Sequence, residues 1–177
     1  MDILWQELTS GLPDTRQLVQ VSIRLIAATL LGAVVGIERE RAHKPAGLRT
    51  HILVSLGTTV FVLSGAGVGM ASDAISRIIQ GIATGIGFLG AGTILKLSEE
   101  RDIQGLTTAA GIWMTAAIGV AVGLGGLALA LLSAVLTVTM LVLLRSLEDR
   151  IDKSRKGKTA DMGQHAQTPI DRGGGAT

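Results

Sequence analysis

Five apolar runs, at residues 18–37, 50–70, 78–95, 106–123 and 126–144, take up most of this 177-residue sequence. Each is close to the ~20 residues a helix needs to cross a hydrocarbon core about 30 Å thick. In lipid every backbone N–H and C=O must find its partner within the protein, which at these lengths leaves the α-helix. The sequence therefore predicts an all-α membrane bundle of about five transmembrane helices. Composition agrees, with 47% hydrophobic residues and only 17% charged ones, too apolar for an ordinary soluble domain. The 24 glycines would oppose helix formation in water; in membrane helices they let neighbouring backbones approach closely. The absence of cysteine excludes disulfides, thiolate metal ligands and thiol catalysis.

Charge predicts the threading, because cytoplasmic segments collect Lys and Arg. Arg39, Arg41, Lys44 and Arg49 link the first two spans, and Lys96 and Arg101 link the third and fourth. Arg145, Arg150, Lys153, Arg155, Lys156, Lys158 and Arg172 follow the fifth. Five spans with the N-terminus outside and the C-terminus in the cytosol put all three groups on one side. Residues 1–17 read as an external segment, either a short interfacial helix around Trp5 or a tail. Residues 18–144 form the transmembrane domain. Residues 145–177 form a polar cytosolic tail whose Gly, Thr and charge content predicts disorder.

The two basic links resemble each other. Glu38 to Ala46 leads into Gly47-Leu48-Arg49-Thr50, and Lys96 to Gln104 leads into Gly105-Leu106-Thr107-Thr108. Glu38 with Arg41 and Glu40 with Lys44 are spaced as helical ion pairs, which alone describe a solvated helix end. Beyond them, Pro45 ends the helix, and Thr50 is positioned to cap span two, as Thr107 or Thr108 is for span four. Helix N-termini carry free amide donors and partial positive charge. Lys44, Gly47, Arg49, Thr50, Gly105, Thr107 and Thr108 therefore form a candidate cytosolic site for an anion or an acidic partner. On this reasoning Arg49→Ala should disturb function more than Arg39→Ala. The paired links also suggest a weak parallel repeat, with Gly47 and Gly105 equivalent.

Gly85-Ile86-Gly87-Phe88-Leu89-Gly90-Ala91-Gly92 matches a dinucleotide-binding fingerprint in spacing only. It lies inside an apolar span, without the strand and acidic residue that chemistry requires. Gly85, Gly87, Phe88, Gly90 and Gly92 read instead as a helix-packing groove. Arg24, the one charge well inside a span, either snorkels to the outer surface or finds a buried partner such as Gln80, near Arg77 and Thr84. Trp113 reads as packing. His43 and His51 flank the first turn without a ligand set, so no metal site is expected.

At these residues the chain resembles the MgtC/SapB family of bacterial inner-membrane proteins. The resemblance rests on Arg24-Leu25-Ile26 with Gly32 to Arg39, on Lys44 through His51, on Arg77-Ile78 through Gly92, and on Gly105 through Ala110 with Trp113. It makes Arg24, Glu38, Arg39 and Arg77 motif positions. It implies a multi-pass inner-membrane protein associated with growth in low magnesium. The family's best-known members act in virulence and in restraint of the F-type ATP synthase, which that resemblance alone offers as a partner. The short polar tail suggests a SapB-like member without a C-terminal cytosolic domain.

Two functions follow as expectations. The first is a regulatory or interaction protein, and the second a transporter or channel for a small ion such as magnesium. No Asp or Glu lies in the five runs as drawn, which favours the first. No catalytic constellation, cofactor or nucleic-acid partner is expected. The bilayer is the obligatory partner, and the Gly-x-x-x-Gly faces could pack within one chain or between copies.

Overall fold

The computed structural model describes residues 14–96 and 103–145. The N-terminal segment to residue 13, the middle of the second basic link and the tail from residue 146 lie outside the described residues, and with them the expectations made for those segments. Five helices are long and apolar enough to cross a membrane: α1 (Thr15–Arg41), α2 (Leu48–Gly67), α3 (Ser72–Gly92), α4 (Leu106–Gly123) and α5 (Leu127–Arg145). Two-residue strands, Leu95–Lys96 and Ile103–Gln104, pair antiparallel between α3 and α4. This short ladder leaves the architecture helical, as expected from the sequence.

The bundle is built around α2, gripped from two sides through glycines. On α1, a Cβ added at Gly32 would lie 2.7 Å from the His51 carbonyl oxygen, and one at Gly36 would lie 2.7 Å from Leu48 Cα. On α4, a Cβ at Gly123 would lie 2.7 Å from Val62 Cβ, while one at Gly119 would overlap Thr58 Oγ1 and the Ser55 carbonyl. With no hydrophobic force between helices in lipid, such backbone approach supplies the dispersion contacts that hold them. Thr59 adds a hydroxyl bond across the α2–α4 seam to the Gly119 carbonyl, at 2.8 Å.

Two apolar clusters complete the packing. Ala28 and Val35 of α1, Ile118 and Val122 of α4, and Ala130 and Ala134 of α5 form the first. The i,i+4 alanines explain how α5 docks with few large residues buried. Ala46, Ile86, Ile112 and Ala116 form the second, with Val54 and Ile82 packed against it. Residues through Thr139 make one compact unit, and Met140–Arg145 are the last turns of α5, assigned to a second.

Two boundaries and one side chain differ from the sequence reading. α1 runs past the first apolar run to Arg41, as the helical pair spacing predicts, but Glu38 and Arg39 are buried there and not on a solvated helix end. α3 starts at Ser72, ahead of the apolar run, and Asp73 and Arg77 form an i,i+4 pair (3.7 Å) on its exposed first turns. Trp113 is 53% exposed, because α4 turns its glycines and small residues toward α2 and leaves the indole outside.

The same motif thus has two energetic meanings. Gly32→Ile should overpack the α1–α2 crossing and destabilise the protein by about 1–3 kcal/mol or more. Gly81→Ala, where an added Cβ meets nothing within 4 Å, should be neutral or slightly stabilising, by at most about 1 kcal/mol. Unfolding in mixed detergent micelles measures both.

Candidate functional site

The polar residues concentrate where the end of α1 and the start of α2 meet α4. Arg39 is 2% exposed and Glu38 9%, and Arg39 Nε donates to Glu38 Oε2 at 2.6 Å. A buried charge is tolerable only with such a partner. Opposite them, His51 has no exposed surface, and its Nδ1 lies 2.7 Å from Thr115 Oγ1. The Thr115 hydroxyl also bonds the Gly111 carbonyl one turn back, at 2.9 Å. Gly111 of α4 faces the group: a Cβ there would be in ordinary contact, 3.6 Å from His51 Cε1 and 3.9 Å from Arg39 Cδ. Ser55, Thr58 and Thr59 continue the buried polar face along α2, and Thr108 lies within the same end of α4.

The helix starts differ from the expected caps. The N-cap of α2 is Gly47, in extended conformation, and no side chain of that residue or of Thr50 caps it. Glu40 takes that role from the preceding helix, its Oε2 accepting from the Leu48 amide at 2.9 Å. A side chain at Gly47 would overlap that carboxylate. The pairs Glu38–Arg41 and Glu40–Lys44 therefore give way to Glu38–Arg39 and Glu40–Leu48, and the protein's own anion sits at this helix start. α4 begins at Gly105, which is left-handed at φ 94° and packs against the Thr93 carbonyl. Thr107 and Thr108 are already inside the helix. Gly47 and Gly105 thus share a position in the sequence pattern but not a backbone conformation.

The other candidate residues are distributed as follows. Lys44 and Arg49 are exposed, and Thr50 is half-buried. Pro45, Ala46 and Thr50 face Gly92 and Thr93 of α3 across a crevice of about 200 Å³, so the first turn and the end of α3 adjoin. Gly85 and Gly87 meet nothing within 4 Å, Phe88 is 82% exposed, and Gly90 packs on Ala109 of α4. Arg77 is on the surface with Asp73. Arg24 bonds neither Gln80 nor its surroundings in α3: its Nη1 donates to the Gly123 carbonyl at 2.9 Å. The guanidinium lies against Gly125 in the α4–α5 turn, where a cation complements the C-terminal end of α4.

Sequence reasoning overlooked the Arg39–His51–Thr115 group because it placed Glu38 and Arg39 in solvent. Its signal was present as two i,i+4 series, His51-Ser55-Thr59 on α2 and Gly111-Thr115-Gly119 on α4. Among the described residues no group of three or more His, Asp or Glu is arranged to hold a metal ion.

This geometry reverses the expected ranking of the two arginines. Arg39→Ala leaves Glu38 buried without its partner, and should cost about 3–5 kcal/mol. Exposed Arg49→Ala should stay within about 0.5 kcal/mol. Stability in detergent, beside growth in low magnesium, tests the order.

The sequence is similar to several known proteins. The chain is 47% identical to Protein SrpB of Synechococcus elongatus, over 59% of this chain and 64% of that protein. It is 43% identical to Protein MgtC of Salmonella typhimurium, over 74% of this chain and 55% of that one. It is 41% identical to the putative magnesium transporter YhiD of Escherichia coli, over 73% and 62%. It therefore spans between about half and two thirds of the length of these relatives. No solved structure matches it. Residues 25–150 match the model of the MgtC family, and with five membrane-spanning helices the chain is a multi-pass bacterial membrane protein belonging to that family.

Proposed function

We propose that this protein is a regulatory or interaction protein of the bacterial inner membrane, linked to magnesium limitation, which docks through α3 on a transmembrane helix of another membrane protein. The observation that carries this reading is the unequal use of glycine. Gly32, Gly36, Gly119 and Gly123 are all in tight helix contact, whereas Gly81, Gly85 and Gly87 meet nothing within 4 Å. Beside them, Thr58, Phe61, Ile78, Ile82, Ile86 and Leu89 line an apolar crevice of about 490 Å³ between α2 and α3. A small-residue ridge beside exposed apolar side chains suits a helix that approaches closely. Family resemblance offers the F-type ATP synthase as that partner. The link to magnesium rests on the same resemblance and on the name of the YhiD relative. The basic-loop end faces the cytosol in this reading, in accord with the positive-inside rule. The activity is not enzymatic.

Transport is the second reading. The polar seam formed by His51, Ser55, Thr59 and Thr115 inside the bundle favours it, as does the name of the YhiD relative. Purified protein in proteoliposomes separates the two: magnesium flux should equal that of empty vesicles, and flux above that level would overturn the regulatory reading. Because the chain has no native cysteine, Gly85→Cys provides a single crosslinking position on α3. In native membranes it should capture a different membrane protein, while the equally lipid-exposed Leu53→Cys on α2 should not. Capture of a second copy alone would replace the hetero-partner with a homo-oligomer.

A further inference from the structure

The crevice between α2 and α3 has a shape that selects its occupant. Its α3 wall is Ile78, Gly81, Ile82, Gly85, Ile86 and Leu89, one helical face about 17 Å long. Spread over that length, a volume of about 490 Å³ makes a slot about 5–6 Å wide. A helix with its side chains is about 10–12 Å across, so it can lie over this slot but not in it. Carbon atoms in contact lie about 3.5–4.0 Å apart, which makes one extended hydrocarbon chain about 4–5 Å wide. That fits. Gly81 and Gly85 keep the slot open, since a Cβ at either meets nothing within 4 Å. Thr58 brings a hydroxyl to the lining, but it is already directed to the Val54 and Ser55 carbonyls, at 2.9 and 3.1 Å.

Charge at one end of the slot selects the kind of lipid. Leu89 also lines the smaller crevice of about 200 Å³, with Pro45, Ala46, Thr50, Gly92 and Thr93, so the two crevices meet at the basic-loop end of α3. Lys44 and Arg49, both exposed, are the chain neighbours of Pro45 and Thr50. The acidic residues nearest them in sequence are otherwise engaged, Glu38 with Arg39 and Glu40 with the Leu48 amide. The positive-inside rule puts this end on the cytoplasmic side, where basic pockets between membrane helices draw anionic headgroups.

We propose that one anionic phospholipid of the cytoplasmic leaflet binds here, with an acyl chain in the slot between α2 and α3 and its phosphate at Lys44 and Arg49. A helix docked on α3 would cover that chain without displacing it, so the inference stands whether or not α3 has a protein partner.

Native mass spectrometry of the full-length protein, released from vesicles of equal dioleoylphosphatidylglycerol and dioleoylphosphatidylcholine, reads the bound lipid directly. The unaltered protein should retain one phosphatidylglycerol in preference to phosphatidylcholine by about tenfold. The double variant Lys44→Gln, Arg49→Gln, changed only at exposed positions, should lose the preference while a lipid stays bound. Gly85→Leu, which fills the slot, should lose the bound lipid whatever its headgroup, with the helical circular dichroism unchanged. Equal retention of the two lipids by the unaltered protein would overturn the proposal, as would undiminished phosphatidylglycerol in Gly85→Leu. So would a lipid-free dimer, since the occupant would then be a second copy of the chain.

Discussion

The approach of α2 to two glycine faces is the constraint on which the rest of the structure depends. In lipid, burying Leu against Leu gains little, since the alternative is an acyl chain of the same polarity. What remains is contact density, and Gly32, Gly36, Gly119 and Gly123 provide it by removing the side chains that would hold the backbones apart. The pinch at α2 then does more than pack. It brings the first turns of α2 against the last turns of α1, which buries Glu38, Arg39 and His51 at one end. At the other end Arg24 of α1 reaches the Gly123 carbonyl, so one α1 arginine marks each end of the crossing.

The charged residues at the basic-loop end serve different purposes although they are adjacent in sequence. Glu38 neutralises Arg39 inside the bundle, and Glu40 sits on the exposed start of α2. A helix start that already carries its own carboxylate has its first amide satisfied before any external anion arrives. The net effect is a junction whose buried arginine is paired within the chain, in contrast to α3, whose glycine ridge is open along much of its length.

Much of the fold was legible in the residues, and much of the site was not. Run lengths gave the number and approximate position of the helices, and the Gly-x-x-x-Gly spacings showed that close helix approach was available to several of them. The family resemblance was visible at Gly32 to Arg39, Lys44 to His51 and Gly85 to Gly92, and the comparisons agree with it. Which Gly pair meets a neighbour could not be read: Gly32/Gly36 and Gly81/Gly85 have the same spacing, yet only the first pair is packed. Arg39 and Arg49 show the same difficulty, since each is a basic residue at the edge of an apolar run.

By itself the sequence determined that this chain must be helical and cross the membrane, because the helix is the form that satisfies the backbone within five apolar runs of this length. Tertiary structure alone decided that Arg39 and His51 are internal, that Glu40 and not Thr50 completes the start of α2, and that Arg24 binds the end of α4. The reason is physical. Periodicity along one helix fixes which residues share a face, but burial and hydrogen-bond partners depend on which other helix occupies that face and how near its backbone can come.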